Sequence, residues 1–464
     1  MKQLKKGKII LIPYPAQGHV SPMQKLALAF VRLGFEAVIV VPQYIHRQIM
    51  IKNDDDDDNE IKWVGLEDGL GQNVEEKSPD FFGIESAMEN RMPSELEEVV
   101  DGDVACMVVD LLASWAIEVG QRCGIPIAGF WPAMFASYRL IAAIPHLLRR
   151  RIISDTGLPE EEEEEGKIWL EPIISTEDLP WLIGTVAARK GRFKFWKRTM
   201  ERCTTLKWVL VNSFPGETKL IDDDDDDDDD EFSSNINSES HDPRVLPIGP
   251  MNELTKSVSF WEEDLSCLKW LSTQKPNSVV YISFGSWVSP IGEPKLKTLA
   301  LALEALERPF IWVLRSTWRQ GLPVGFLERV VKEGIGRVVS WAPQTQILQH
   351  DSVACYVTHC GWNSILEALE FQKKLLCYPV AGDQFVNCAY VVQIWRVGLK
   401  LNGLGLKDVE EGVSRVMEDK EMSNRLRKLH ERIMGHNKRV PFMLKTFLQD
   451  LTNNKPSFTI PEKD

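Results

Sequence analysis

The sequence predicts an α/β protein built from two doubly wound, largely parallel sheets. Short apolar runs alternate with amphipathic helical stretches from residue 8 to residue 130, and the same rhythm restarts after residue 275. A strand–helix–strand order of this kind indicates parallel strands joined by crossover helices. The apolar runs are continuous, as in strands that are buried on both faces of a sheet.

The individual elements follow from this rhythm in chain order. In the first half the sequence predicts strands at 8–14, 36–42, 105–109 and 126–130, and helices at 23–33 and 114–122. In the second half it predicts strands at 278–284, 310–314, 353–358, 375–378 and 397–401, and helices at 295–306, 363–371 and 385–395.

A polar stretch without periodicity separates the two halves, and it is followed by Pro243, Pro247 and Pro250. This composition is typical of a linker. The predicted units are an N-terminal domain at 1–243, a linker at 244–255, a C-terminal domain at 256–440, and a tail or helix at 441–464 that packs back on the N-terminal domain. Because doubly wound domains bind ligands at the carboxyl ends of their strands, we expect a ligand cleft between the two domains.

The chain has 464 residues and a formal net charge of −14, and three acidic runs at 54–58, 160–165 and 222–230 supply much of the excess. Without the 20 carboxylates of these runs the net charge would be +6. Blocks of like charge repel and stay solvated, so we expect surface loops there. The acidic balance argues against nucleic acid as a partner, since binding to phosphates needs clustered Lys and Arg.

Neither a membrane span nor a metal site has a sequence signal. No apolar run approaches the roughly 18 residues of a spanning helix, and the first run stops at Pro13, too early for a signal peptide. The eight cysteines form no CxxC pair, and no His, Cys and carboxylate cluster has metal-ligand spacing. We therefore expect a cytoplasmic protein with reduced thiols, no metal and no stable membrane insertion.

Residues 341–384 combine groups suited to a nucleotide ligand. The strand predicted at 353–358 ends in a turn, and Asn363 and Ser364 are expected to cap the helix that follows. A helix N-terminus is suited to a diphosphate because its free N–H groups and dipole favour anions. Glu367, one turn further on, could accept hydrogen bonds from a ribose diol, and Trp341 offers a flat face for a base.

This segment resembles the 44-residue signature motif of the plant family 1 UDP-dependent glycosyltransferases. It opens with WAPQ, holds HCGWNS in the middle and ends with DQ, and it spans 44 residues. The likeness extends to 13–22, 105–115, 281–286 and the FWEED segment at Phe260. The resemblance implies the GT-B fold, with two facing Rossmann-like domains, the acceptor mainly in the N-terminal one and the nucleotide sugar in the C-terminal one. It also implies metal-independent chemistry, with UDP-glucose as a donor substrate and no cofactor.

The resemblance also implies roles for eleven residues that would contact the donor. They are Trp341 and the Ala342 backbone at the uracil; Gln344 and Glu367 near the ribose; Ser286, His359, Asn363 and Ser364 at the phosphates; and Trp362, Asp383 and Gln384 at the sugar hydroxyls. A terminal Gln, as at Gln384, is usually associated with glucose. Taken singly, each Trp or His would more often be a packing or structural residue, and it is the joint spacing that favours a donor site.

His19 is the candidate general base. The pKa of an imidazole lies near 6.5, close to working pH, and His19 follows the first strand, where doubly wound sheets place their active loops. Without the resemblance a turn-capping histidine would be the simpler interpretation; the family has its base at this position. Asp110 ends an apolar strand and could orient the imidazole or cap the next helix, and both roles remain open. The implied reaction is a single displacement at sugar C1, which inverts its configuration.

Two departures from the family pattern bear on the donor. The family commonly has Gly-Val-Pro where this chain has Gln372, Lys373 and Lys374, which predicts a basic turn near the donor contacts. Pro132 stands where many relatives have a Thr that can reach the sugar 6-hydroxyl.

The acceptor is not specified by the sequence. Seven aromatic residues could line an apolar acceptor pocket or equally form core: Phe81, Phe82, Trp131, Phe135, Trp181, Phe193 and Phe195. The predicted function is inverting transfer of a hexose, with glucose expected, from a UDP-sugar to a hydroxyl of a small lipophilic acceptor by a monomeric enzyme. The alternatives are a UDP-sugar-binding protein with weak or no turnover, and another nucleotide-sugar enzyme such as an epimerase.

Overall fold

The computed structural model describes residues 7–50, 60–70, 80–160, 167–168, 174–221, 243–251, 259–286 and 291–453. The acidic runs at 54–58 and 222–230 lie outside these residues, as does the run at 160–165 apart from Glu160, which is exposed. Among the described residues, no helix has both the length and the apolar character needed to cross a lipid bilayer.

Two parallel sheets form the centre of the molecule. The first has seven strands in the order β3-β2-β1-β4-β5-β8-β9: Lys8–Ile12 (β1), Glu36–Pro42 (β2), Ile61–Leu66 (β3), Val104–Asp110 (β4), Ile127–Trp131 (β5), Trp208–Val211 (β8) and Arg244–Pro247 (β9). The second has six strands in the order β12-β11-β10-β13-β14-β15: Val279–Ser283 (β10), Phe310–Val313 (β11), Gly336–Val339 (β12), Val353–Thr358 (β13), Lys374–Cys377 (β14) and Gly398–Lys400 (β15). Lys167–Ile168 (β6) and Ile174–Ser175 (β7) form a short antiparallel pair.

Helices connect the strands of both sheets. In the first half they are Gln17–Arg32 (α1), Gln43–Met50 (α2), Phe81–Asn90 (α3), Met92–Val99 (α4), Trp115–Arg122 (α5), Phe135–Ala142 (α6), Ile144–Arg149 (α7) and Val186–Cys203 (α8). In the second half they are Ser266–Leu271 (α9), Glu293–Ala305 (α10), Phe326–Glu333 (α11), Gln344–Gln349 (α12), Trp362–Glu370 (α13), Gln384–Ala389 (α14), Leu406–Glu418 (α15), Lys420–Asn437 (α16) and Val440–Asn453 (α17). Short 3₁₀ turns lie at Leu111–Ala113, Thr176–Asp178 and Ser316–Gly321, and a π-helical turn lies at Tyr390–Ile394.

Each sheet reverses its strand order once. In the first sheet β1 pairs with β2 on one side and with β4 on the other, and in the second sheet β10 pairs with β11 and with β13. At such a switch point the loops diverge and leave a crevice outside the carboxyl ends of the strands. β4 and β10 are buried along their whole length, as the continuous apolar runs predicted.

The two sheets share a core. One buried cluster includes Ile10 of the first sheet and Tyr281 of the second. At their junction Phe214 stacks on Trp362, with ring centroids 6.4 Å apart and planes at 14°. Burial of these large rings stabilises the relative placement of the two halves.

The segment between the sheets begins later than the sequence predicts. Arg244–Pro247 is not linker but the edge strand β9, and it pairs in parallel with β8. Pro247 ends this strand, and an edge position is one of the few places where a sheet tolerates proline. The C-terminal helix α17 lies against the first sheet: Leu444 and Phe447 belong to the same buried cluster as Ile9.

Candidate active site

His19 and Asp110 meet at the switch point of the first sheet. His19 lies in the first turn of α1, directly after β1, and Asp110 is the last residue of β4. The His19 Nδ1 atom is 2.7 Å from Oδ2 of Asp110. Asp110 is fully buried, whereas the side chain of His19 is 22% exposed and so can meet a ligand.

Asp110 performs both of the roles that the sequence leaves open. Its Oδ1 atom accepts a hydrogen bond of 2.9 Å from the backbone N–H of Leu112, which caps the 3₁₀ turn. Its Oδ2 atom accepts from the backbone N–H of Tyr14 and faces His19. An ionised carboxylate only accepts hydrogen bonds, so His19 donates from Nδ1 and keeps its lone pair on Nε2.

His359 lies at the switch point of the second sheet, directly after β13. It is buried, and burial lowers its pKa to about 4, an effect that a backbone hydrogen bond to Ser283 opposes. The imidazole is therefore neutral at pH 7. It is held between Gly285 and Gly361: a Cβ atom at either position would approach its Nε2 atom to 2.5 or 2.4 Å. Only glycine fits these two positions, which explains why the SFGS and HCGW segments each have a glycine next to this ring.

The helix α13 begins one residue earlier than predicted, so the expected caps are not caps. Gly361 is the N-cap, and Asn363 and Ser364 lie inside the first turn. The side chain of Asn363 instead donates a hydrogen bond of 2.8 Å to the carbonyl oxygen of Gly18, next to His19. The first N–H groups of α13 have no acceptor within the helix, so they can serve as donors for an anion.

Pro22 explains why the carbonyl of Gly18 is available. In a regular helix the N–H of residue 22 would bond to the carbonyl of residue 18, but proline has no N–H. Pro22 lies inside α1, so Gly18 has no helical donor and accepts from Asn363 instead. A local irregularity in the first half thus creates the contact that joins the two switch points.

Gln344 is the centre of a saturated hydrogen-bond network. Its Oε1 atom accepts from the hydroxyl groups of Tyr281 and Tyr356, both at 3.0 Å. Its Nε2 atom donates to Glu367 at 2.8 Å and to Ser364 at 3.1 Å. All four hydrogen-bonding positions of the carboxamide are occupied, so Gln344 positions Ser364 and Glu367. Sequence reasoning did not find the two tyrosines, since nothing in their spacing distinguishes them from core residues of β10 and β13.

Glu367 is half-buried and faces a cation from the other half of the chain. Burial raises its pKa, while the charge of Lys25 and the hydrogen bond from Gln344 lower it. Lys25 lies on α1, on the same helix as His19. The hydrogen bond from Gln344 thus positions the carboxylate, which keeps acceptor capacity for a diol, and Lys25 contributes a favourable charge from the other half of the chain.

Trp341 packs beside a second indole. The ring centroids of Trp341 and Trp261 lie 4.5 Å apart. The guanidinium of Arg315 lies over the Trp261 ring, 3.9 Å from its centroid. Arg315 also donates a hydrogen bond of 2.6 Å to the carbonyl oxygen of Ser286. Burial lowers the pKa of Arg315 to about 10, which leaves it charged at pH 7. Ala342 is buried beside Trp341. Sequence reasoning noted the FWEED segment but missed Arg315.

The side chain of Trp362 is engaged within the protein. Its indole N–H donates to the carbonyl oxygen of Asn212 at 2.6 Å, and its ring is buried against Phe214. The only polar atom of the side chain is therefore already bonded within the protein. A contact with a sugar hydroxyl would have to come from the backbone N–H of Trp362 in the first turn of α13.

Asp383 and Gln384 lie at the start of α14. Asp383 accepts a hydrogen bond of 2.8 Å from Asn387; burial raises its pKa, and that bond and the nearby His19 lower it. The Oε1 atom of Gln384 accepts from the backbone N–H groups of Val380 and Ala381, at 2.9 and 3.1 Å. These two bonds fix the orientation of the Gln384 side-chain amide. Its NH₂ group is then the hydrogen-bond donor of the side chain.

The chain is similar to known proteins over nearly its whole length. A sequence model of the family described as UDP-glucoronosyl and UDP-glucosyl transferase matches residues 247–435. UDP-glycosyltransferase 82A1 of Arabidopsis thaliana is 53% identical over 98% of this chain and 100% of its own length. The chain belongs to the UDP-glycosyltransferase family. The predicted resemblance to the plant enzymes is thereby confirmed.

Solved structures agree with the fold of this UDP-glycosyltransferase. Medicago truncatula UGT71G1 complexed with UDP-glucose has a TM-score of 0.78 at 22% identity, over 96% of this chain and 98% of that chain. Phytolacca americana UGT2 complexed with UDP-2fluoro-glucose and pterostilbene has a TM-score of 0.75 at 20% identity, over 97% of this chain and 100% of that chain. The predicted GT-B fold is confirmed.

The basic turn of this glycosyltransferase does not reach the donor site. Lys374 begins β14 at its amino end, opposite the edge that carries the site, and its ammonium donates to the carbonyls of Val416 and Asp419. Lys373 donates to the carbonyls of His350 and Val353. The prediction that these lysines add positive charge near the donor is wrong, because backbone acceptors at the far edge bind both of them.

Gln372 has a left-handed backbone conformation, which glycine adopts without strain. Its φ is 52°, in the left-handed region. The N–H of Lys373 bonds to the carbonyl of Ala368, and that of Gln372 to Leu369, so α13 ends in a Schellman motif. Gln372 therefore occupies the left-handed position of this motif, where glycine is most common.

The aromatic candidates for an acceptor pocket are mostly core. All but Phe82 are buried, and all seven lie in or against the shared cluster that contains Ile10. Phe82 is half-buried, with the guanidinium of Arg192 at 5.3 Å from its ring centroid. Pro132 is buried, and its carbonyl accepts from the side chain of Asn212.

Proposed function

We propose that this UDP-glycosyltransferase transfers a hexose, with glucose as the preferred sugar, from a UDP-sugar to a hydroxyl of a small lipophilic acceptor. The anomeric configuration inverts in the reaction. The observation that carries the proposal is the 2.8 Å hydrogen bond from Asn363 to the carbonyl of Gly18. It joins the helix end that would hold the diphosphate to the residue that precedes His19, so base and donor share one crevice.

His19 acts as the general base in this proposal. Its Nε2 lone pair takes the proton of the acceptor hydroxyl as the oxygen attacks sugar C1, and Asp110 stabilises the imidazolium that forms. The bond between C1 and the phosphate oxygen breaks in the same step, and UDP leaves. A single displacement converts an α-linked donor into a β-glycoside, and no cofactor is needed.

The donor lies along the second switch point. The uracil packs on Trp341 and pairs with the backbone of Ala342, and the ribose diol binds Glu367, which Gln344 holds in place. The phosphates accept from the first turn of α13, where Asn363 and Ser364 lie, and from the segment around Ser286 and neutral His359. Asp383 and the NH₂ group of Gln384 bind sugar hydroxyls, together with the backbone of Trp362.

The same proposal includes the acceptor class, the cellular compartment and the oligomeric state. The stilbene bound to the Phytolacca americana enzyme supports phenolic acceptors. We also propose a cytoplasmic monomer, and the eight free cysteines support a reducing compartment. Size-exclusion chromatography with light scattering tests the oligomeric state, and a dimer would contradict this part.

The decisive assay measures UDP release from UDP-glucose with a panel of phenolic acceptors. Wild type should turn over at least one acceptor and give a β-glycoside, identified from the coupling constant of its anomeric proton. His19→Ala should lose at least about 100-fold in kcat, the range of general-base catalysis. The control is His146→Ala. It alters an exposed histidine on α7 that belongs to none of the proposed site residues, and it should keep the full rate. A protein that binds UDP-glucose but turns over no acceptor would instead support the UDP-sugar-binding alternative.

A further inference from the structure

Three cysteine side chains meet beneath the donor site. Cys360 follows β13, Cys377 ends β14 and Cys388 lies in α14, and their Sγ atoms all lie within 4.8 Å of one another. The three residues are 0%, 0% and 3% exposed. The proposed transfer reaction uses none of these thiols.

The three thiols interact with one another and with two nearby charges. Hydrogen bonds from the thiols of Cys360 and Cys377 lower the pKa of Cys388, while burial raises that of Cys360. The charge of Lys400 acts in the same direction on Cys388, and Asp178 lies close to both. The opposite charges of Lys400 and Asp178 therefore offset each other beside the cluster.

The number of sulfurs and the balance of charge around them restrict the ligand. With bonds of about 2.3 Å, three sulfurs around one pyramidal centre lie roughly 3.5 Å apart, so side-chain rotations would bring all three within bonding distance of it. Zn²⁺ in structural sites takes four ligands, and in the described part of the chain no other His, Cys, Asp or Glu joins the three. Three thiolates around Zn²⁺ or Cu⁺ would also bury a net negative charge, which is costly because Asp178 already offsets the nearby charge of Lys400. A trivalent centre with three thiolates is neutral.

We propose that Cys360, Cys377 and Cys388 form a binding site for a trivalent thiophilic metalloid, with arsenous acid as its probe. Three S–As bonds form and the three As–O bonds of As(OH)₃ break. The three thiol protons leave with the hydroxyl groups as three water molecules, so no oxidant or reductant is needed. The product carries no net charge.

Occupation of this site would reach the donor contacts through the backbone. Cys360 has a φ of 66° and lies between His359 and the N-cap Gly361. Its carbonyl accepts from Asn387 at 3.0 Å, and Asn387 also donates to Asp383. Drawing the three sulfurs together therefore shifts the start of α13 relative to α14, and both helices carry proposed donor residues.

The test incubates the full chain with arsenous acid, removes the excess and records a native mass spectrum. Wild type should gain one arsenic atom and lose three hydrogens. Cys377→Ala and Cys388→Ala should each retain no arsenic. If Cys377→Ala does not fold, Cys388→Ala provides the same test. Cys355→Ala is the matched control, since Cys355 on β13 is as buried as Cys377 but lies outside the cluster; it should behave as wild type.

The effect of bound arsenic on donor binding is measured in a separate experiment, by steady-state kinetics. Bound arsenic should raise the KM for UDP-glucose at least roughly tenfold, and dithiothreitol should reverse this, while Cys377→Ala keeps its KM. No uptake by wild type, or uptake by Cys377→Ala, would overturn the site. Uptake with an unchanged KM would overturn its link to the donor contacts. The mass measurement needs no turnover, so it stands even if the transfer reaction proposed above is wrong.

Discussion

The side-chain amide of Asn363 donates a hydrogen bond of 2.8 Å to the backbone carbonyl of Gly18. The two residues are 345 positions apart in sequence, one at the start of α13 and the other at the start of α1. The carbonyl is free to accept because Pro22 has no N–H to offer it. The contact thus links the first helical turn after β1, which carries His19, to the helix end proposed to hold the diphosphate.

Replacing Pro22 by alanine should restore the missing helical donor and compete for the Gly18 carbonyl. We expect the KM for UDP-glucose to rise several-fold with little change in thermal unfolding, because one hydrogen bond of about 1 kcal/mol is redirected and none is lost. Steady-state kinetics with varied donor checks this. Pro93→Ala is the control, since Pro93 lies in the first turn of α4, where no helical acceptor exists. An unchanged KM in Pro22→Ala would show that the carbonyl accepts both donors equally well.

The Asp110→Asn variant should keep the fold and lose turnover. Its amide NH₂ would face Nδ1 of His19 and move the proton to Nε2, where the base needs a lone pair. We expect kcat to fall roughly 100- to 10,000-fold with little change in the donor KM. UDP-release kinetics measure this, and Asp103→Asn, on an exposed turn, is the matched control. A kcat within twofold of wild type would rule out Asp110 as the partner of the base.

His359 should make the protein less stable in acid. Its pKa is about 4 in the folded state and near 6.5 in the unfolded state, so the unfolded state binds the proton more tightly. The contribution of the neutral ring to the free energy of unfolding is fully present above pH 6.5. It is lost as pH falls from 6.5 towards 4. Between pH 7 and pH 5 it amounts to about 2 kcal/mol. Urea unfolding at both pH values should show this loss in wild type and a smaller one in His359→Gln. An equal loss in both proteins would mean that His359 titrates normally.

Gln344→Glu should break the saturated network around Glu367. A carboxylate at 344 cannot donate to Glu367 and places a second negative charge beside it, so we expect a loss of about 2–3 kcal/mol at pH 7. The pair would have a raised pKa, so the loss should shrink as pH falls and the pair takes up a proton. Denaturant unfolding at pH 8 and pH 5 measures both effects. Gln346→Glu, exposed on the same helix, should change little at either pH. Equal destabilisation by both variants would contradict the network.

Much of the fold could be predicted because buried parallel strands leave continuous apolar runs. The strands at Glu36–Pro42 and Val353–Thr358 were predicted with their observed bounds. Element ends were less predictable where a cap or an irregular turn decides them. The helix predicted from residue 23 begins at Gln17 because Pro22 is accommodated inside it, and the helix predicted over 385–395 changes to a π-helical turn at Tyr390.

The sequence by itself determined the two-sheet architecture and the family, and it predicted the residues that we propose to bind the donor. It could do so because these depend on local periodicity and on the spacing within one 44-residue segment. Tertiary structure alone decided which partners those residues have. Asn363 meets Gly18, Trp362 meets Asn212, and Gln344 meets two tyrosines. Such partners come from distant segments, and hydrogen-bond donors and acceptors pair by position in space, so no local pattern in the chain records which of them will meet.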